Sequence, residues 1–201
     1  MKKILPFFSY LLHPIFIPVL GTIAYVFYGD NLYDKHQYLL LFIQVIIITF
    51  FLPLSFFYLL RTFGRVDTIM LSETSQRKIP LLLQIILTVV LIEKSVTINH
   101  FFELYFFFLG GIISTIIAFI LVFAKVKASI HIIGISALTF FVIGLSLHFQ
   151  INGIYAIALL FFSIGIVASS RIEMKAHSFI ELVIGFLIGM IPQILLWYLW
   201  L

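Results

Sequence analysis

The sequence predicts an all-α fold: a polytopic transmembrane helical bundle of about seven spans, or six spans with a short re-entrant third helix. Three observations predict it. Mean hydropathy is +1.24, and only 10% of the 201 residues are charged, against roughly 25% in soluble domains. The apolar residues come in long blocks with no strand-like alternation. The cations fall between those blocks, mostly on one side of the expected bundle.

A spanning helix needs roughly 20 mainly apolar residues. On that measure the first span covers residues 4–28, longer than a signal-peptide core and without a small-residue cleavage site, so it reads as a retained membrane helix. The second covers 38–60. The third is ambiguous, because its uncharged run, 79–92, has only 14 residues. Extending it to 98 makes a full span, with Pro80 as its first helical residue and with Glu93 and Lys94 snorkelling at its far end. Spans four to seven cover 104–124, 130–147, 151–167 and 178–201. Trp197, Tyr198 and Trp200 close the last as an interfacial aromatic belt. The polar connection from Arg61 to Lys78 has room for an amphipathic helix on the membrane surface. The chain reads as one integral membrane domain, 1–201.

Seven spans place Lys2, Lys3, Arg61, Arg65, Arg77, Lys78, Lys125, Lys127, Arg171 and Lys175 on one face, against Lys35 and Lys94 on the other. Ten against two is a positive-inside bias that puts the charged face in the cytoplasm. The net charge of +4 therefore belongs to topology, and without a basic run it implies no nucleic-acid partner. The absence of cysteine excludes disulfides, thiolate metal sites and cysteine nucleophiles.

Three polar clusters meet on the charged face: Arg77-Lys78-Ile79-Pro80, Lys127-Ala128-Ser129-Ile130-His131, and Ser170-Arg171 with His177 and Glu181. All three are expected at helix N-termini, whose open N–H groups and positive dipole end favour a phosphate, with Arg adding bidentate donors. His177 and Glu181, four apart, are expected on one face of the last helix, where the carboxylate fixes the imidazole tautomer. Gly185 and Gly189 continue that stripe and allow a close helix neighbour. Ser129 also reads as an N-cap. His13, His36, His100 and His148 are expected away from the site.

These residues resemble the type-2 phosphatidic acid phosphatase superfamily over about 61–189, giving a phosphatase-like core at about 61–201. That family's third motif is Ser-Arg, five residues, His, three residues, Asp; Ser170, Arg171 and His177 match, with Glu181 in the Asp position. Its second, Pro-Ser-Gly-His, is similar to Ala128-Ser129-Ile130-His131. Its first, a Lys spaced before Arg-Pro, is matched loosely by Arg77 with Pro80, Lys78 standing in for the Lys.

The resemblance implies a metal-free, cofactor-free phosphatase acting on a lipid phosphate or prenyl pyrophosphate in a bacterial inner membrane. His177 would be the nucleophile, oriented by Glu181, and His131 the general acid and base. Arg171, Arg77, Lys78, Ser129 and Ser170 would hold the phosphoryl group. The replacements at Ala128 and Ile130 in the second motif, with the loosely matched first motif, carry the other expectation: a catalytically weakened phosphatase fold serving as a structural or lipid-binding subunit of a membrane complex.

Overall fold

The computed structural model describes residues 4–29, 33–68 and 74–201, and it is all-helical. Lys2 and Lys3 of the charge count lie outside the described residues. The helices are α1 (Ile4–Leu11), α2 (Ile17–Tyr28), α3 (Lys35–Ile46), α4 (Leu52–Thr62), α5 (Lys78–Lys94), α6 (Phe102–Phe123), α7 (Ile130–His148), α8 (Ile154–Glu173) and α9 (Phe179–Trp200). They build seven spans long and apolar enough to cross a membrane, with α1 and α2 forming the first and α3 and α4 the second. This is the architecture of an integral membrane protein, and the third helix is a full span beginning with a 3-10 turn at Thr74–Arg77.

Prolines explain the irregular spans. Pro14 breaks the first: His13 before it is held extended (φ −66°, ψ 140°), as a residue preceding proline prefers. A 3-10 turn, Pro14–Phe16, then restarts the helix. The break lets α1 lie on α8 while α2 lies on α7. In the second span Pro53 cannot donate to the carbonyl of Thr49, four residues back, and the chain widens there into a π-helical segment, Ile47–Phe51. Pro192 inside α9 likewise frees the carbonyl of Ile188, and Ser114 Oγ on α6 donates to it at 2.8 Å. That is how a membrane helix tolerates proline: a neighbour satisfies the released group.

The central element is α7, the most buried span, packed by α2, α6, α8 and α9. Its approach to α9 depends on two glycines. A Cβ on Gly185 would stand 2.9 Å from the Ser129 carbonyl oxygen, and one on Gly189 2.3 Å from that of Ile133. The expected small-residue seam therefore exists, and it brings backbone against backbone.

Several boundaries differ from the sequence reading. Helix α8 continues to Glu173, so Ser170 and Arg171 sit in its last turn, at a C-terminus instead of the start of α9. Pro80 is the third residue of α5, still within the first turn where no intrahelical N–H is required. Between α4 and α5 the described residues form only the 3-10 turn at Thr74–Arg77 and no amphipathic helix; residues 69–73 lie outside the description. Of the expected aromatic belt only Tyr198 faces outward. Trp200 is buried against Phe141 and His148, and Trp197 lies beside Phe140, in space left by Gly144.

Candidate functional site

The site begins with how the chain leaves α8. Lys175 adopts a left-handed conformation (φ 52°), reversing the chain so that Ala176 N–H donates to the Arg171 carbonyl at 3.0 Å. His177 follows at once. Ser178 then caps α9 reciprocally: its hydroxyl accepts from the Glu181 N–H, and the Glu181 carboxylate accepts from the Ser178 N–H. His177 is thus two residues before the first residue of α9 and not on its helical face, yet the capping carboxylate still reaches it.

Glu181 Oε2 lies 2.8 Å from His177 Nδ1. The carboxylate can only accept, so Nδ1 carries the hydrogen and Nε2 is left with its lone pair. The His177 side chain is 1% exposed. Burial holds its pKa down to about 4, against the opposing pull of Glu181; the positive charges of Arg77, Arg171 and Lys127 push in the same direction as burial. At neutral pH the ring is uncharged, and its Nε2 lone pair can accept a proton or a hydrogen bond.

His131, in the first turn of α7, is held from the first span. Its Nε2 is 3.1 Å from the Ser9 carbonyl oxygen, in the last turn of α1, where helix carbonyls lack intrahelical partners. A carbonyl only accepts, so Nε2 carries the hydrogen and Nδ1 is the atom able to exchange a proton. Ser9 Oγ is also 2.6 Å from Ser170 Oγ, which ties α1 to α8 beside Arg171. Arg77 reaches across from the start of α5, its Nη1 donating to the Ala128 carbonyl at 2.9 Å. Both guanidiniums are buried, Arg77 at 3% and Arg171 at 1% exposure.

These groups close one end of a cavity of about 240 Å³, lined there by His13, Arg77, His131, Arg171 and His177. The remaining wall is mostly apolar, from Pro53, Leu54 and Phe57 on α4, Leu81 on α5, and Phe107 and Phe108 on α6. The lining follows α5 down to Thr88, eleven residues from Arg77, or roughly 16 Å at 1.5 Å per residue. That is about half the thickness of a bilayer's hydrocarbon core.

The structure therefore brings together His177, Glu181, His131, Arg171 and Arg77. It does not bring the other three predicted residues to the cavity wall. Lys78 is turned about 100° from Arg77 at the start of a helix; it is exposed, with Nζ 4.7 Å from the centre of the Phe123 ring. Ser129 is the N-cap of α7, but its hydroxyl makes no capping bond and is buried without a hydrogen-bond partner. Its N–H donates to the Glu181 carbonyl at 3.3 Å, because Gly185 lets α9 cover it. Ser170 faces Ser9. Ile130, in the motif's glycine position, begins α7, and no left-handed backbone is needed there.

Sequence reasoning missed the first two spans, which supply Ser9, His13 and the α4 wall. A signal was present: two polar residues four apart, Ser9 and His13, beside a proline inside an apolar run. Among the described residues no group of three His, Cys, Asp or Glu is placed to hold a metal ion. Comparisons with protein-family models, with curated proteins and with solved structures returned no match.

Proposed function

We propose that this protein is a membrane-embedded phosphatase that hydrolyses a lipid phosphate or prenyl pyrophosphate through a phosphohistidine at His177, as the type-2 phosphatidic acid phosphatase resemblance implies. One observation carries the reading. A buried histidine with a bare Nε2 stands beside two buried guanidiniums, at the polar end of an otherwise apolar cavity. Ionisable groups within a membrane bundle mark functional sites, and guanidinium forks match phosphoryl oxygens. An apolar cleft beneath them suits the first part of a hydrocarbon chain.

In the reaction, His177 Nε2 forms a bond to phosphorus as the bond to the leaving oxygen breaks. Arg77 and Arg171 neutralise charge on the remaining phosphoryl oxygens, the main contribution a protein makes to this chemistry. The bare His131 Nδ1 first takes the proton of the monoprotonated phosphate substrate and then passes it to the leaving oxygen. Water then attacks phosphorus, gives a proton to the same nitrogen, and releases phosphate as the N–P bond breaks. Glu181 holds His177 in the required tautomer throughout. The positive-inside bias favours the cytoplasmic side of a bacterial inner membrane for this end of the bundle.

A second reading, a lipid-phosphate-binding subunit of a membrane complex, is favoured by one feature: the Ser129 hydroxyl of the second motif lies outside the cavity wall. Purified protein given ³²P-labelled lipid phosphates and prenyl pyrophosphates in EDTA separates the two. A base-stable, acid-labile label on wild type that is lost in His177→Ala, with phosphate release, establishes the phosphatase. Saturable lipid-phosphate binding with neither label nor release establishes the binding subunit.

A further inference from the structure

We infer that Gly111 on α6 determines the chain length this site accepts: the hydrocarbon chain of a bound lipid phosphate lies across it, in space a side chain would take. The inference rests on the phosphate-site reading above and says what fills the apolar part of that cavity.

A glycine inside a helix serves a left-handed backbone, a close approach of neighbouring elements or room for a ligand. The first does not apply, because among the described residues Gly64 is the glycine with positive φ. Nor does the second. A Cβ on Gly111 would meet no atom within 4 Å, in contrast to Gly185 and Gly189 at the α7–α9 seam. Glycine weakens a helix interior relative to alanine, and neither backbone nor packing calls for it here. Room for a ligand is what remains. Gly111 lines the cavity, so the open space beside it is the cavity itself. Gly165 on α8 also has open space beside it, but it is exposed and does not line this cavity.

Its depth suits the end of a chain. At the charged face Lys78 Nζ lies 4.7 Å from the centre of the Phe123 ring, which sets the register of α5 against α6. Gly111 is twelve residues before Phe123, or roughly 18 Å inward. Thr88 is ten residues after Lys78, or roughly 15 Å inward. Both therefore stand at the deep end, and the buried rings of Phe107 and Phe108 lie one helical turn further. The hydroxyls there are turned to backbone. Thr88 Oγ1 donates to the Gln84 carbonyl at 2.7 Å, Thr115 Oγ1 to that of Gly111 at 2.7 Å, and Ser114 Oγ to that of Ile188 at 2.8 Å. They offer no donor to a polar solute, and the deep end suits hydrocarbon.

Orthovanadate and butyl, octyl and dodecyl phosphate serve as probes. Their affinities are measured for detergent-purified wild type, Gly111→Leu, Gly111→Ala and Gly165→Leu, with thermal unfolding alongside. Wild-type affinity is expected to rise from butyl to dodecyl phosphate. Burial of each methylene is worth about fourfold, so Gly111→Leu, which fills the space of several, should weaken dodecyl phosphate by about 10- to 100-fold. Its affinity for butyl phosphate and orthovanadate stays that of wild type, which a general disturbance of the fold would not leave intact. Gly111→Ala, whose added carbon meets no neighbour, keeps the fold and weakens dodecyl phosphate by about fourfold. Gly165→Leu matches wild type for every probe. Dodecyl phosphate binding unchanged in folded Gly111→Leu and in Gly111→Ala, or wild-type affinity that does not rise with chain length, overturns the assignment of Gly111 and leaves the anion site standing. Wild type that binds neither orthovanadate nor any alkyl phosphate removes the phosphate-site reading and this assignment with it.

Discussion

Among the described residues the bundle contains two histidine–glutamate pairs, one at each end. At one end His177 Nδ1 meets Glu181 at 2.8 Å; at the other His148 Nε2 meets Glu103 at 3.2 Å. As paired chemistry they look alike, and their surroundings make them different. The His177 side chain is 1% exposed and shares a cavity with two buried guanidiniums. That of His148 is 29% exposed and rests on Phe149 and Trp200, away from any cavity-lining cation. A carboxylate can orient an imidazole anywhere. Of the two rings, only that of His177 lines the cavity shared with Arg77 and Arg171.

The largest test of that contrast removes each histidine in turn. His177→Ala is expected to lower EDTA-resistant phosphate release by at least about 10³-fold, as loss of a nucleophile does. His148→Ala should leave the rate within about twofold. Equal losses in both would make the two ends equivalent and sink the assignment of His177 as the nucleophile.

Glu181→Gln keeps an acceptor at the α9 cap but removes the charge that fixes the His177 tautomer. By analogy with other oriented histidines, turnover should fall by about 10²-fold or more, with the folded state retained by circular dichroism. A variant as active as wild type would leave Glu181 as a helix cap and nothing else.

The pH profile is a third test. With its pKa held near 4 by burial, and by Arg77, Arg171 and Lys127 against Glu181, His177 stays neutral through the range where an ordinary histidine becomes protonated. Formation of the phosphoenzyme should be unaffected by His177 from pH 7 to about 5. Below about pH 4 it should fall about tenfold per unit, as the neutral fraction falls. The same depressed pKa means that protonation favours unfolding, so its contribution to stability is lost as pH falls from about 6.5 towards 4. An acid limb centred near 6.5 would contradict the burial of this ring.

The smallest effects concern how the two ends are packed. Near the site, Gly189 abuts the Ile133 backbone carbonyl, whereas at the far end Gly144 abuts the Trp197 and Trp200 rings. Backbone cannot turn aside, but side chains can. Gly189→Ala should therefore cost about 1–3 kcal/mol through overpacking, read as a lower melting temperature in detergent. Gly144→Ala should cost less, and Gly165→Ala, with nothing within 4 Å of its added carbon, least of all.

Composition and periodicity alone determined that this chain is a helical membrane bundle, because blocks of about 20 apolar residues have few other stable outcomes in lipid. The spacing of His177 to Glu181 was likewise legible, since both belong to one short capping segment whose geometry is local. The glycine seam was legible for the same reason: it repeats every helical turn. What the tertiary structure alone decided was which distant groups face one another. Ser9 holding His131 across 122 positions, His13 at the cavity, Lys78 turned outward, and Ser129 sealed under α9 depend on helix rotation and on where proline bends each span. A local pattern constrains those rotations only weakly. Packing settles them, because each helix must find the one orientation that satisfies its buried polar groups and fits its neighbours' surfaces.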